Sequence, residues 1–115
     1  MKRGEIWTAS GGGGYAGKPR PAVILQGDEF SETASTTLAS FTSDPTEADL
    51  FRIVIEPDEG NGLRVASRVM VDKVTTLPRS KFGRRVGRLS DRDMRRIDEA
   101  AIRFLSLGST VPRDG

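Results

Sequence analysis

The spacing of apolar residues predicts a series of short strands followed by one helix. Strand patterns are short apolar or alternating runs bounded by turn-forming residues, whereas the last stretch repeats its apolar residues every three to four positions. The predicted strands cover residues 3–9, 21–26, 36–41, 50–55, 65–77 and 84–89, and 65–77 is either one long strand or a bent pair. Five or six strands closed by a helix indicate a mainly β (α+β) fold, either a small, highly curved β-barrel or a two-sheet structure.

The C-terminal stretch predicts an amphipathic helix that begins after Ser90 and ends at Gly108. Ser90 suits the N-cap, Asp93 three residues on comes close to a capping box, and glycine suits the C-terminal end. The apolar residues expected on one face are Met94, Ile97, Ala101, Phe104 and Leu105. We therefore expect one domain over residues 1–108 and a polar, flexible tail over 109–115.

A glycine-rich stretch near the N-terminus predicts a flexible loop, because successive glycines lose much backbone entropy in a regular element. Within it, Gly12–Lys18 matches G-x-x-x-x-G-K, the opening of a phosphate-binding P-loop. That motif needs Ser or Thr next and then a helix. Here Pro19 and a predicted strand follow, so a nucleotide-hydrolysing P-loop is not expected.

Arg20 lies between two prolines, Pro19 and Pro21, at the start of the second predicted strand. Proline fixes its own φ angle and keeps the residue before it extended, so the direction of the backbone at Arg20 is set. The guanidinium is then held at the edge of the fold beside the glycine-rich loop. A solvated arginine in a proline-rich turn is the alternative interpretation.

Composition narrows the chemistry that this chain can carry out. The chain has no cysteine and no histidine, which excludes disulfides and removes the usual zinc ligands and the usual acid–base side chain. Hydrolysis would have to use Arg, Lys, Tyr, Ser, Thr or carboxylates, and we expect no metal and no cofactor. Without a signal-peptide pattern or an apolar run of about 20 residues, we expect a soluble cytoplasmic protein that does not contact membranes.

Charges are segregated along the chain although the net charge is only +2. Residues 28–59 hold nine acidic residues against one basic residue, whereas residues 79–96 hold eight basic against two acidic ones. This asymmetry is typical of a polyanion-binding face opposed by an acidic face. Two solvated surfaces of opposite sign are the alternative.

Five blocks of sequence follow one another in a characteristic order between residues 2 and 107. They are Lys2–Trp7, Gly17–Gln26, Ala39–Ser43, the stretch from Asn61-Gly62-Leu63 through Ser67 to Val71–Leu77, and Val86–Ser90. Together they resemble the MazF/PemK (Kid) family of toxins. The resemblance implies an SH3-like barrel with a C-terminal helix, a shape shared with the gyrase poison CcdB.

The resemblance also implies an activity and partners. Members of this family are toxins of type II toxin–antitoxin systems that act as homodimers, and an antitoxin occupies the groove across the dimer. Their usual activity is sequence-selective cleavage of single-stranded RNA without metal. Attack by the 2′-hydroxyl of the RNA then yields a 2′,3′-cyclic phosphate and a free 5′-hydroxyl.

The resemblance carries two catalytic residues over to this chain, Arg20 and Thr42. A guanidinium offers planar, paired donors to a phosphate whose charge grows in the transition state, and a hydroxyl adds a neutral donor. Arginine is a poor base because its pKa lies above about 12, so charge stabilisation and alignment of the attack are expected to supply most of the rate.

The identity of the base stays open, because the chain departs from the family pattern. Tyr15 stands where some members have a glutamate, and no histidine replaces that of the Kid branch. The Kid-type aspartate falls on Asp72, while the arginine two residues before it is Met70 here. Tyr15, Asp72 and Glu5 are the candidates, and Tyr15 is equally a candidate for stacking on an unpaired base.

A basic surface is expected to follow the RNA backbone without reading its sequence. The candidate RNA-binding residues are Lys18, Ser43, Arg79, Lys81, Arg84 and Arg85, with Arg88 in the same basic run. A solvated surface, or one that grips an acidic antitoxin, is the alternative. The resemblance makes the Gly11–Gly14 loop a candidate gate over the groove, whereas Trp7 and Phe41 are expected in the core.

Two other functions remain compatible with the sequence. A CcdB-like gyrase poison would have no chemistry and no use for Arg20 and Thr42. An inactive module that binds RNA or antitoxin would result if the departure at Tyr15 has removed catalysis.

Overall fold

A computed structural model describes residues 1–11, 18–45 and 50–108 and shows seven strands and one α-helix in them. The elements are β1 (Glu5–Ala9), β2 (Arg20–Ile24), β3 (Ser35–Thr42), β4 (Arg52–Ile55), β5 (Ser67–Met70), β6 (Thr75–Pro78), β7 (Phe82–Arg88) and α1 (Asp91–Phe104). Short 3₁₀ turns lie at Asp28–Phe30, Val71–Lys73 and Arg79–Lys81. The predicted class, mainly β with a C-terminal helix, is confirmed.

All strand pairs are antiparallel, and β3 is the centre of the sheet. The order is β4-β5-β3-β2-β1-β7, and β6 also pairs with β3. One edge of β3 therefore pairs with β2, while its other edge pairs with β6 along the first half and with β5 at the end. The 3₁₀ turn at Val71–Lys73 separates β5 from β6, which confirms the bent pair predicted over 65–77.

The sheet does not close by a continuous ladder in the described ranges, and the turn after β4 bridges its edges. The backbone N–H of Arg88 in β7 donates to the carbonyl of Gly60, at 2.8 Å. Asn61 is fully buried, and its Oδ1 accepts from the N–H groups of Asp58 and Leu63. Its Nδ2 donates to the carbonyl of Glu56. One buried amide side chain thus satisfies the backbone of the whole turn.

Two glycines let this turn lie directly against β7. Gly62 has φ +68°, and a Cβ there would lie 2.4 Å from the carbonyl oxygen of Val86. A Cβ on Gly87 would lie 2.4 Å from the carbonyl oxygen of Asn61. Both contacts are too close for any larger residue, so the Asn-Gly and Val-Gly pairs close the fold at one point.

The main core lies between α1 and one face of the sheet, which we call the inner face. Its strand residues include Ile6, Val23, Ala39, Phe41, Ile53, Ile55 and Val69. The helix contributes three buried residues, Met94, Ile97 and Ala100. Phe41 is only 3% exposed, which confirms it as a core residue.

The helix begins as predicted but ends four residues early. The Oγ of Ser90 accepts from the N–H of Asp93 at 3.1 Å, which confirms the N-cap. The last helical residue is Phe104 rather than Gly108, because the chain turns away through Ser106 at φ +54°. The predicted end was therefore wrong. With 14 residues, α1 is too short and too charged to cross a membrane, and it is the longest helix in the described ranges.

The predicted apolar face of the helix is buried only along its first part. Phe104 and Leu105, both expected on that face, are 46% and 50% exposed. The ring of Phe104 lies against that of Phe51, with centroids 5.3 Å apart, at the margin of the sheet. The predicted tail, 109–115, lies outside the described residues, and the domain boundary at 108 stays a prediction.

Candidate active site

Two of the candidate catalytic residues, Arg20 and Thr42, lie at strand ends on the face of the sheet that points away from α1, which we call the outer face. Ala9 of β1 pairs with Arg20 of β2. The β2–β3 ladder pairs Ala22 with Ser40, and continuing this register by two residues sets Arg20 opposite Thr42. Residues opposite each other on neighbouring strands project to the same face, about 4.5–5.5 Å apart at Cβ. The register therefore places Arg20 and Thr42 side by side.

Local sequence explains why Arg20 is presented at this edge. Arg20 is the first residue of β2 and is exposed, and Pro19 before it is exposed as well. The next residue, Pro21, pairs with Thr8 of β1, so the prolines hold the strand entry extended as predicted. Lys18, which comes directly before Pro19, is exposed as well.

Thr42 is the last residue of β3 and is half-buried. Its Oγ1 accepts a hydrogen bond from the backbone N–H of Asp44, at 3.1 Å. This contact uses a lone pair and fixes the side-chain direction, while the hydroxyl proton keeps its capacity to donate. Ser43, the next residue, is exposed.

Arg68 joins this group, although the sequence analysis did not select it. It pairs with Thr42 across the β3–β5 ladder, on the side of Thr42 opposite Arg20. It alternates with the buried Ser67 and Val69, a pattern that assigns it to the outer face once β5 is known. What the sequence could not give is the register that sets it beside Thr42. The threonine is thus flanked by arginines on both neighbouring strands.

Asp72, a candidate base, is engaged by an arginine of β4. Its two carboxylate oxygens accept from Nε and Nη2 of Arg52, at 3.2 and 3.1 Å. Both side chains are largely buried, 17% and 15% exposed. The hydrogen bonds that Arg52 donates to Asp72 raise the pKa of Arg52 although burial opposes this. The geometry gives Asp72 a structural partner, since both of its carboxylate oxygens bind one guanidinium.

Glu5, another candidate base, is held by three donors. Its Oε1 accepts from the backbone N–H of Lys2 at 2.8 Å and from the indole Nε1 of Trp7 at 3.1 Å. Its Oε2 lies 3.2 Å from Nε of Arg85. Burial raises the pKa of Glu5, but these hydrogen bonds and the nearby cationic charges outweigh it and hold that pKa below its usual value. A carboxylate so stabilised is a weak base.

Trp7 does not belong to the core as expected. It is half-buried and packs in neither of the two apolar clusters of the described residues. It projects to the outer face, because its cross-strand partners there are Ala22 and Arg85. The prediction that Trp7 lies in the core is therefore wrong. Side chains alternate between the two faces along β1, and the alternation buries Ile6 instead of Trp7.

The basic run divides into residues with a structural contact and residues that remain exposed. The guanidinium of Arg79 donates to the carbonyls of Ser31 and Thr33, so it holds the loop between β2 and β3 in place. Lys81 and Arg84 are exposed, and the stem of Lys81 lies against Gly11 at the base of the glycine-rich loop. These exposed cations lie on or beside β7, next to β1.

Some of the expected residues and features lie outside this site. Tyr15 and residues 12–17 of the glycine loop fall outside the described residues. After Lys18 the chain enters β2 and not a helix, so the P-loop match has no structural counterpart. In the described ranges no group of three or more acidic side chains is arranged to hold a metal ion. A surface depression of about 590 Å³ is lined by the turn after β4, at Asp58 to Gly60, and by the junction of β7 and α1, at Arg88 to Ser90.

The chain is similar to known proteins over most of its length. Residues 2–105 match the model of a family described as PemK-like, MazF-like toxin of type II toxin–antitoxin system. A relative from Mycolicibacterium smegmatis named probable endoribonuclease MazF is 51% identical over 93% of this chain and 98% of its own length.

Solved structures show the same fold at low sequence identity. An endoribonuclease in complex with its cognate antitoxin from a mycobacterial species has a TM-score of 0.78 at 20% identity, over 95% of this chain and 98% of that one. The Mycobacterium tuberculosis toxin MazF-mt6 has a TM-score of 0.77 at 24% identity, over 91% and 99%. By the family match and the 51% identical relative, this chain belongs to the PemK-like, MazF-like toxins of type II toxin–antitoxin systems.

Proposed function

We propose that this chain is an endoribonuclease toxin that cleaves single-stranded RNA at a phosphate bound on the outer face between Arg20 and Thr42. The observation that carries the proposal is the strand register: the β2–β3 ladder runs to Ala22–Ser40, and its continuation by two residues would bring the Arg20 guanidinium and the Thr42 hydroxyl to one face. The 51% identity to a probable endoribonuclease supports the same activity. An open sheet face also suits an extended polymer better than a closed pocket would.

In the proposed reaction the RNA supplies its own nucleophile. The 2′-oxygen attacks the adjacent phosphorus, the new P–O2′ bond forms, and the P–O5′ bond breaks. The 2′-hydroxyl proton passes to a base, and the departing 5′-oxygen takes up a proton. The products are a 2′,3′-cyclic phosphate and a 5′-hydroxyl, and neither oxidation nor a metal is needed to balance the step.

Arg20 and Thr42 act on the charge that grows on the phosphate. The guanidinium donates paired hydrogen bonds to the non-bridging oxygens, and the Thr42 hydroxyl donates another one. Because Thr42 Oγ1 is held by the N–H of Asp44, its hydroxyl is oriented before the substrate arrives. Such orientation avoids reorganisation in the transition state, which is where the rate gain arises.

Tyr15 is the proposed group for proton transfer, whereas Asp72 has a structural part to play. Asp72 already binds Arg52 through both oxygens, so its part is to hold the β4 arginine rather than to remove the proton. Tyr15 stands at the family's glutamate position and is the proposed proton acceptor. A tyrosine is a weak base near neutral pH, so alignment of the attacking oxygen would supply much of the rate.

The remaining candidate residues would guide the RNA strand. Exposed cations at Lys18, Lys81, Arg84 and Arg85, with the hydroxyl of Ser43, would contact phosphates on either side of the cleaved one. These contacts fix position and add affinity that falls with salt, without reading sequence. Arg79 is left out because its guanidinium is committed to loop carbonyls.

A homodimer and an antitoxin complete the proposal. A structural neighbour at TM-score 0.78 is an endoribonuclease bound to its cognate antitoxin, which supports a protein inhibitor for this chain. The segregated charges, with an excess of basic residues over 79–96, suit an acidic segment that competes with RNA. Light scattering on the purified chain would test the dimer.

The test is cleavage of a long, unstructured RNA by the purified chain in the presence of EDTA. We expect discrete fragments whose 3′ ends carry a cyclic phosphate and whose 5′ hydroxyls accept label from polynucleotide kinase without prior phosphatase treatment. Mapping the ends would also give the recognised sequence. Intact RNA together with gyrase inhibition would favour the CcdB-like alternative, and binding without cleavage would favour the inactive module.

A further inference from the structure

Trp7 is the large aromatic side chain of the outer face that the proposed chemistry does not use. It is half-buried, stands in the middle of β1 and is not among the partly buried side chains that pack against the two apolar clusters of the described residues. On the sheet it is opposite Ala22, a residue too small to cover an indole ring. A tryptophan in this position has a function other than filling the core.

The ring is held in one orientation by a network at the edge of the sheet. The indole Nε1 donates to Oε1 of Glu5, and the same oxygen accepts from the backbone N–H of Lys2. Arg85 reaches the other oxygen of Glu5 through Nε and remains 50% exposed. Glu5 thus fixes a ring and a cation next to each other.

The distance to the candidate active site is short. Trp7 and Ala9 on β1 pair with Ala22 and Arg20 on β2, so Trp7 and Arg20 occupy opposite corners of one four-residue patch. Such diagonal neighbours are about 7–8 Å apart at Cα. The other corners are alanines, both almost fully buried, so neither presents a surface of its own to a ligand.

We propose that the Trp7 indole is the platform of a nucleobase subsite, on which an unpaired base next to the cleaved phosphate stacks, while Arg85 contacts the neighbouring phosphate. Aromatic faces bind single-stranded bases by stacking, and guanidinium groups bind the backbone between them. This inference depends on the proposed function, since the occupant is a base of the same RNA strand.

The subsite can be observed directly, because Trp7 is the sole tryptophan of the chain. The probes are short single-stranded oligodeoxynucleotides, one homopolymer for each base, which lack the 2′-hydroxyl and cannot undergo the proposed cleavage. We expect saturable quenching of Trp7 fluorescence, strongest for the preferred base. Fluorescence that no homopolymer changes, or that changes only with protein concentration, would overturn the subsite and indicate a second copy of the chain over Trp7.

Variants separate stacking from general stability. Removing one stacked base typically weakens binding by about 5- to 150-fold, so Trp7→Ala should weaken oligonucleotide binding within that range, while Trp7→Phe should retain most of the affinity. Phe30→Ala is the matched control, because Phe30 is an aromatic residue of the loop between β2 and β3 and is 55% exposed. A loss in the control equal to that in Trp7→Ala would contradict the subsite.

The outcomes distinguish this inference from the proposed function. Should the chain cleave RNA while Trp7→Ala binds and cleaves like the unaltered protein, the function stands and the subsite falls. In the reverse case, base-dependent quenching without any cleavage keeps the subsite and removes the endoribonuclease. Loss of binding in Trp7→Ala with an unchanged melting temperature supports the subsite.

Discussion

The inner and outer faces of the sheet alternate residue by residue along the same strands, yet they serve different ends. On β3, Phe41 points inward and is 3% exposed, whereas Thr42 points outward and is half-buried. The inner face packs against α1 and carries the larger apolar cluster, while the outer face holds the arginines, the threonine and Trp7 alongside a smaller cluster that includes Ala9 and Ala22. Stability and chemistry are therefore separated by a one-residue step, and substitutions on the two faces should have separable effects.

The largest effect on stability is expected from the inner face. Ile97→Ala should lower the free energy of unfolding by about 2–5 kcal/mol, because the side chain is fully buried between helix and sheet. The cleavage rate per folded molecule should not change. Urea unfolding and initial rates measure both, and Ile102→Ala, 49% exposed on the same helix, is the matched control. A slower reaction at unchanged stability would break the separation.

The largest effect on activity is expected from Arg20. Arg20→Ala should reduce kcat/KM at least about 100-fold, the usual cost of removing one transition-state donor, with no change in melting temperature. Arg95→Ala, an exposed arginine on α1, is the control and should cleave normally. An equal loss in both variants would show that only overall positive charge matters.

Asp72 lies in the 3₁₀ turn between β5 and β6. Its substitution tests whether a residue of the candidate site contributes to stability rather than to catalysis. Asp72→Asn should lower the free energy of unfolding by about 1–3 kcal/mol, because Arg52 loses a charged partner in a largely buried pair. The pH profile of kcat should keep its shape. Loss of the acidic limb of that profile, with Asp91→Asn as an unaffected control, would instead make Asp72 the base.

The smallest of these effects is expected from Thr42. Thr42→Val keeps the shape of the side chain but removes one neutral donor, which should slow cleavage by up to about 10-fold. Thr42→Ser should restore most of the rate, because it returns the hydroxyl. A serine variant as slow as the valine variant would mean that Thr42 acts through packing alone.

Much of the fold could be predicted from the sequence, because its signals are local. Alternating and apolar runs predicted the strands, and Ser90 predicted the start of the helix. A bent pair was one of the two alternatives predicted for residues 65–77. The helix end was missed because Phe104 and Leu105 continue the apolar pattern beyond the sheet that would cover them. Burial at a helix end depends on which part of the sheet lies beneath it, and the spacing of apolar residues carries no information about that.

The candidate site was predictable as residues but not as an arrangement. The proline-flanked Arg20 and the strand-end Thr42 were identified from motifs, whereas Arg68 and the roles of Asp72 and Trp7 required strand register. Register depends on long-range pairing: the partner of Asp72 is 20 residues away, at Arg52. A carboxylate that looks like a base in sequence becomes half of an ion pair once those strands meet.

The most direct measurement is a crystal structure of the chain with an RNA that carries a single 2′-deoxy substitution at the mapped cleavage position. The account predicts one phosphate within hydrogen-bond distance of both the Arg20 guanidinium and the Thr42 hydroxyl, on the outer face. RNA bound elsewhere, or these side chains on different phosphates, would contradict it.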